Sequence, residues 1–227
     1  NDFLAPGSGE SFAVIDPASL ETVGRAARCT AADVEAVVAE ANAAQKTWKR
    51  LDAKSRATLL HRLADSIEQG DFHDVAVLMV REMGKPYPEA TGELANCAGI
   101  FRYYAEMARD EAGKVAGTTQ AGSFQYARYE PYGVSVHIMP FNFPILLMCW
   151  TLAASLAAGN ACIVKPAEAT TRCTLKFMEH FRVLAPGLVS CLPGGAETAQ
   201  ALIASKGTHA VAFSLGQIAG PALGGWL

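Results

Sequence analysis

GVSVHIMPFNFPILLMCWTLAASLAAGNACIVKPAE, residues 133–168, decides the fold. Val134-Ser135-Val136-His137-Ile138 is short, rich in β-branched residues and preceded by Gly133, so it reads as a strand. Pro144 to Ala158 reads as a helix that Gly159-Asn160 ends, and Ala161 to Val164 as the next strand. The same rhythm runs on toward the carboxyl end. A helix from Thr171 to Leu184, a strand from Leu188 to Leu192, a helix from Ala196 to Ser205 and a strand from His209 to Phe213 follow. Short apolar strands alternating with helices predict an α/β fold, a Rossmann-like parallel sheet with helices on both faces. Ligands of such sheets bind beyond the carboxyl ends of the strands. Chemistry is therefore sought at residues 139–144, 165–168 and 193–195.

Upstream, the first third reads as consecutive helices. Thr30 with Asp33 is a capping signal, and Val34, Val37, Val38, Ala41 and Trp48 recur at helical spacing. Leu59, Leu60, Leu63 and Ile67 mark a second helix. Phe72, Val75, Leu78 and Met79 mark a third, stopped by Gly84 and Pro86. A fourth runs from about Pro88 to Arg109, with Leu94, Cys97, Phe101 and Tyr104 on one side. These helices show no chemistry of their own; their expected task is to pack on the sheet. Beyond Gly117, Phe124, Tyr126 and Tyr129 suggest an extended ribbon. The expected division is a helical part at 1–116, the ribbon at 117–132, a core at 133–213 and an atypical tail at 214–227.

Bulk properties narrow the function. The 227 residues are 51% hydrophobic and carry a net charge of −3 with no run of Lys or Arg. A nucleic-acid binder would need a basic face, so none is expected. The cysteines (29, 97, 149, 162, 173 and 191) form no CxxC pair and read as reduced, buried thiols. The five histidines stand at no zinc-ligand spacing, so no metal is expected. The apolar run from Phe143 to Ala158 is short against the roughly 20 residues of a bilayer span. With no signal-peptide pattern, a soluble cytoplasmic protein is the expectation.

Each strand end allows two readings. In Met139-Pro140-Phe141-Asn142-Phe143-Pro144, two prolines hold an asparagine in a rigid turn. Asn142 is either an Asx-type turn or helix cap, or an amide that donates to an oxyanion. In Lys165-Pro166-Ala167-Glu168, the glutamate either complements a helix dipole or accepts from both hydroxyls of a ribose, with Lys165 as a charged donor beside it. In Pro193-Gly194-Gly195, the glycines make a turn or let the backbone approach a ligand. No GxGxxG follows any of the strands, so the common dinucleotide fingerprint is absent.

Taken together and in order, these segments resemble the aldehyde dehydrogenase superfamily. The resemblance rests on MPFNFP at 139–144, LAAGNACIVKPAE at 156–168 and LPGG at 192–195. Glu82-Met83-Gly84-Lys85-Pro86, then Glu89-Ala90 and Glu93, and Asp16-Pro17-Ala18 add to it. It covers Phe12 to Phe213. The resemblance implies that a cysteine thiolate attacks an aldehyde, hydride passes to a nicotinamide, and a glutamate-activated water hydrolyses the thioester. It assigns Asn142 to the oxyanion, Lys165 and Glu168 to the adenosine ribose, and Ala167 to cofactor binding. It also implies that Met139, Pro140, Phe141 and Gly194 line the cofactor cleft. Glu168 would repel a 2′-phosphate, which points to NAD in preference to NADP. Phe141 stands where the family usually has tryptophan, a change of packing more than of reaction.

After Phe213 the pattern departs. Leu215 occupies the place of an expected glycine, and Pro221 would interrupt a helix. No cysteine stands in a loop like that of the nucleophile. The expectation is therefore an inactive fragment or truncated form of an NAD-dependent aldehyde dehydrogenase, homo-oligomeric when whole. The alternatives are a non-catalytic nucleotide-binding or assembly module, and a relative acting on acyl esters or acyl phosphates. Phe141, Leu147 and Trp150 are candidates for part of an aldehyde tunnel, with core packing the competing explanation.

Overall fold

The computed structural model describes residues 9–110, 113–117 and 120–213. The described part begins with an antiparallel hairpin, β1 (Ser11–Ile15) against β2 (Thr22–Ala27). The all-helical reading of the first third did not anticipate it. Its turn is built by Asp16, whose carboxylate accepts from the backbone N–H of Ala18 at 2.9 Å and of Ser19 at 3.3 Å. This is the ordinary local use of an Asp-Pro pair.

Four helices follow: α1 (Ala31–Trp48), α2 (Ala53–Glu68), α3 (His73–Met83) and α4 (Tyr87–Asp110). The expected capping signal of α1 is a complete capping box. The Thr30 hydroxyl accepts from Asp33 N–H, and the Asp33 carboxylate accepts from Thr30 N–H. Gly84 closes α3 in the left-handed region, at φ 74°. The ribbon is a short antiparallel pair, β3 (Lys114–Val115) with β4 (Tyr126–Ala127). It begins ahead of the anticipated boundary at 117.

The main sheet holds β5 (Val134–Ile138), β6 (Ala161–Lys165), β7 (Val189–Cys191) and β8 (Ala210–Phe213), in the order β7-β6-β5-β8. All pairs are parallel, with Ile138 level with both Lys165 and Phe213. The chain steps from β5 to β6 to β7 in one direction and then returns to place β8 on the other side of β5. That reversal is a topological switch point, where such sheets leave a crevice at the strand ends.

Between the strands lie α5 (Leu146–Ala157), α6 (Thr171–Phe177) and α7 (Ala196–Ala204). The expected helix over 171–184 changes at Met178 into a 3-10 turn that runs to Val183. There Phe177 and Phe181 are both fully buried, packed edge to face at 6.4 Å. The helix α5 is apolar over most of its surface and buries Met148, Cys149, Leu152, Ala153, Leu156 and Ala157, as expected of a helix enclosed within a domain.

The amino-terminal helices also bind the end of α5. Trp48 Nε1 donates to Leu156 O at 2.9 Å, Gln45 Nε2 to Gly159 O at 3.1 Å and Arg56 Nε to Ala157 O at 3.1 Å. These three side chains fasten the carboxyl end of α5 and the turn after it to the amino-terminal helices. Among the described residues no helix is long and apolar enough to cross a membrane, and no three His, Cys, Asp or Glu side chains are grouped to hold a metal.

Candidate functional site

The turn after β5 is held on both sides. Before it, Met139 N–H donates to Lys165 O at 3.0 Å, extending the parallel pairing one residue past the strand. After it, the first amides of α5 reach a distant carboxylate. Glu93 Oε1, on α4, accepts from Ile145 N–H and from Leu146 N–H, each at 2.9 Å. Glu93 Oε2 pairs with Lys85, and both side chains are almost wholly buried. The Lys85 ammonium also lies 3.9 Å from the centre of the Phe143 ring, within cation–π range. The helix has no side-chain cap of its own, because Ile145 occupies the capping position. Among the described residues, no hydrogen bond engages the Asn142 side chain, which is partly exposed between Phe141 and Phe143.

The turn after β6 repeats the device. Glu82, at the end of α3, accepts from Arg172 N–H and Cys173 N–H, each at 3.0 Å, at the start of α6. Burial raises the Glu82 carboxyl above its usual range, opposed by its hydrogen bonds to Cys173 and Arg172. Glu82 thus supplies the cap of α6, while Glu168 keeps its place in the first turn of a short 3-10 helix. Glu168 starts a 3-10 turn, its side chain is half exposed, and its carboxylate stands 3.6 Å from the Arg28 guanidinium. Lys165 is 7% exposed; burial lowers its pKa and the nearby Glu168 charge opposes the change. Ala167 connects the two in extended backbone.

The turn after β7 joins the same edge. Pro193 O accepts from Cys29 N–H at 3.0 Å, which brings the hairpin, and Arg28 with it, against the sheet. A Cβ on Gly195 would lie 3.3 Å from Arg28 Nη1 and 3.4 Å from Glu168 Oε1. The bare backbone of Gly195 thus faces the Arg28–Glu168 pair. Gly194 has φ +151°, and a Cβ there would meet Thr198 Oγ1 at 2.1 Å. Close approach of α7 accounts for this glycine.

Burial pushes Cys29 and Cys162 up to about 11 and also raises Cys149, Cys173 and Cys191, whereas a reactive thiol needs its pKa lowered. Cys97 is buried, with its Sγ 3.4 Å from Glu93 O. An open, largely apolar groove of about 580 Å³ lies between α4 and α5, lined by Asn96, Gly99, Ile100, Tyr103, Tyr104, Leu146 and Trp150. Of the tunnel candidates, Trp150 lines it; Phe141 and Leu147 do not.

Sequence reading placed Met139, Pro140, Phe141, Asn142, Lys165, Ala167, Glu168 and Gly194 at strand ends, and the structure sets them at the ends of β5, β6 and β7. It assigned no task to Glu82, Lys85, Glu93 or Arg28. A signal was available for the two glutamates. Glu93 falls in the buried stripe Ala90, Leu94, Cys97 and Phe101, and Glu82 in the stripe Val75, Ala76 and Met79. A charge on an apolar stripe demands a partner. The tail at 214–227, with Leu215 and Pro221, lies outside the described residues.

Comparison with known proteins agrees with this arrangement. The aldehyde dehydrogenase family profile matches residues 3–222, extending past Phe213, where the sequence resemblance had ended. The chain is 38% identical over 216 residues to fluoroacetaldehyde dehydrogenase of Streptantibioticus cattleyicolor, covering 94% of this chain and 42% of that protein. PnpE from Pseudomonas sp. WBC-3, solved in complex with nicotinamide adenine dinucleotide, is similar with a TM-score of 0.87 at 34% identity, over 92% of this chain and 44% of that one. An E. coli NADP dependent enzyme is similar with a TM-score of 0.87 at 30% identity, again over 92% and 44%. The chain spans less than half the length of each.

Proposed function

The chain belongs to the aldehyde dehydrogenase family, and from that premise we propose that residues 133–213 form the NAD-binding core of an enzyme that oxidises an aldehyde to a carboxylic acid. One observation carries the reading. The cap of α5 is supplied by Glu93 and that of α6 by Glu82, while the Asn142 side chain makes no hydrogen bond among the described residues. That leaves the Asn142 amide for a ligand, and the Glu168 carboxylate, 3.6 Å from Arg28, is half exposed.

The residues suit a dinucleotide. The half-exposed Glu168 carboxylate can accept from both ribose hydroxyls, with Lys165 beside it and the bare backbone of Gly195 opposite. A 2′-phosphate would meet the Glu168 charge, so NAD is preferred over NADP. Met139, Pro140, Phe141, Ala167 and Gly194 complete the cofactor side. When bound, the nicotinamide supplies the hydride acceptor. Asn142 donates an amide N–H to the oxyanion formed at the aldehyde carbon, a contact whose loss costs about 2.7–4 kcal/mol in comparable sites. The organic part of the aldehyde lies in the groove beside Trp150. No described residue is assigned as the thiol nucleophile or the general base, so turnover is proposed only for a polypeptide that carries both.

The test is full-length protein given short, long and aromatic aldehydes with NAD, following NADH absorbance. No turnover with any of them refutes the activity. Exposed Phe124, Tyr126, Tyr129 and Tyr132 on the ribbon, each at least 66% exposed, favour an assembly role for residues 114–132 and a homo-oligomer. A monomer in sedimentation would refute that part. Six free thiols, four of them buried, suit the reducing cytoplasm.

A further inference from the structure

We infer that the buried Lys85–Glu93 pair is a positioning device for Asn142, an inference that rests on the oxyanion role proposed above. Helices usually take their amino-terminal cap from an adjacent Ser, Thr, Asp or Asn. The cap of α5 comes instead from a carboxylate 52 residues upstream. Its two oxygens divide the work. Oε1 holds the amides of Ile145 and Leu146, while Oε2 holds Lys85. Lys85 in turn lies on the ring of Phe143, the residue directly after Asn142.

Residues 143, 145 and 146 are thus fixed to one buried ion pair, and residue 139 is fixed to β6. Asn142, between them, makes no hydrogen bond among the described residues. Its direction is therefore set by its neighbours. A donor works on a developing oxyanion only when held in place beforehand, and a misplacement of about 1 Å can cost about 100-fold in rate. The buried charge pair itself is a weak means of stabilising a fold, since a well-packed apolar pair often does as well. Its use here answers a need for geometry.

The experiment uses the full-length protein with NAD and an aldehyde that it turns over. Asn142→Ala is expected to lower kcat about 100- to 1,000-fold. Glu93→Gln, which keeps the shape and one acceptor but frees Lys85, is expected to lower kcat about 10- to 100-fold while leaving the Kd for NAD unchanged. In the Asn142→Ala background, Glu93→Gln should change kcat by less than about twofold, because its effect runs through Asn142. Lys85→Met provides a second variant if Glu93→Gln does not fold, with the same pattern expected. Equal losses in both backgrounds, or no loss in the wild-type background, would overturn the inference. If Asn142→Ala leaves kcat unchanged, the oxyanion role itself fails, and that outcome is read independently of Glu93.

Discussion

Acid should loosen this protein through one histidine in the centre of its sheet. His137 is 1% exposed, and burial lowers its pKa from 6.5 to about 4. Its surroundings are neutral. Ser135 Oγ lies 2.9 Å from Nε2 and bonds onward to Ser155 Oγ at 2.7 Å and toward Cys162 Sγ at 3.6 Å. Nδ1 has no partner among the described residues. The unfolded chain therefore binds a proton near pH 6.5 that the folded chain refuses until about pH 4. Stability from this group is complete above the unfolded pKa and is lost as pH falls between the two values. The interval from 6.5 to about 4, at about 1.4 kcal/mol for each pH unit, amounts to about 3 kcal/mol. Urea unfolding at pH values from about 7.5 to about 4 reads this directly. His137→Gln, which cannot titrate in that range, is the control. Glu82, raised by burial, acts in the opposite direction but equally in both proteins. The wild type should lose about 3 kcal/mol more than the variant on acidification. Parallel losses would refute the reasoning.

Three further outcomes are expected. Glu82→Ala should cost at least about 2 kcal/mol in denaturant unfolding, because it leaves the buried amide of Cys173 and the part-buried amide of Arg172 without acceptors, at about 1–3 kcal/mol for each buried group. Gly194→Ala should destabilise by about 1–3 kcal/mol, since its Cβ would fall on Thr198 Oγ1 and its φ suits glycine; an unchanged melting temperature would show that the turn relaxes freely. Arg28→Ala should raise the ratio of the NADP Kd to the NAD Kd about threefold, the scale of an exposed ion pair, because the guanidinium facing Glu168 offsets part of the carboxylate's repulsion of a 2′-phosphate. Titration with both dinucleotides reads the ratio, and a fall or no change would remove Arg28 from the cofactor edge.

Much of the fold was legible because its signals are local. The alternation of β5, α5 and β6 lies within one continuous stretch, and Gly159-Asn160 marks the turn between helix and strand by conformation alone. The hairpin β1–β2 is also written locally, in the Asp16 turn, but its strand pattern is weak beside the helical periodicity that follows. The break of 171–184 at Met178 has a tertiary cause, the packing of Phe177 and Phe181 into the core. The candidate site divides in the same way. Asn142, Lys165, Ala167, Glu168 and Gly194 could be placed at strand ends by counting residues. The duties of Glu82, Lys85, Glu93 and Arg28 could not, since each acts on a segment far along the chain.

By itself, then, the sequence determined a parallel sheet with helices between its strands and the residues that stand at the strand ends. Periodicity and turn chemistry act between near neighbours, and neither needs a partner from elsewhere. Only the tertiary structure decided which residues cap α5 and α6. Glu93 and Glu82 satisfy the first amides of these helices from 52 and 90 residues away. A helix end requires an acceptor but does not specify which residue supplies it, so the supplier emerges only when α3 and α4 pack against the sheet.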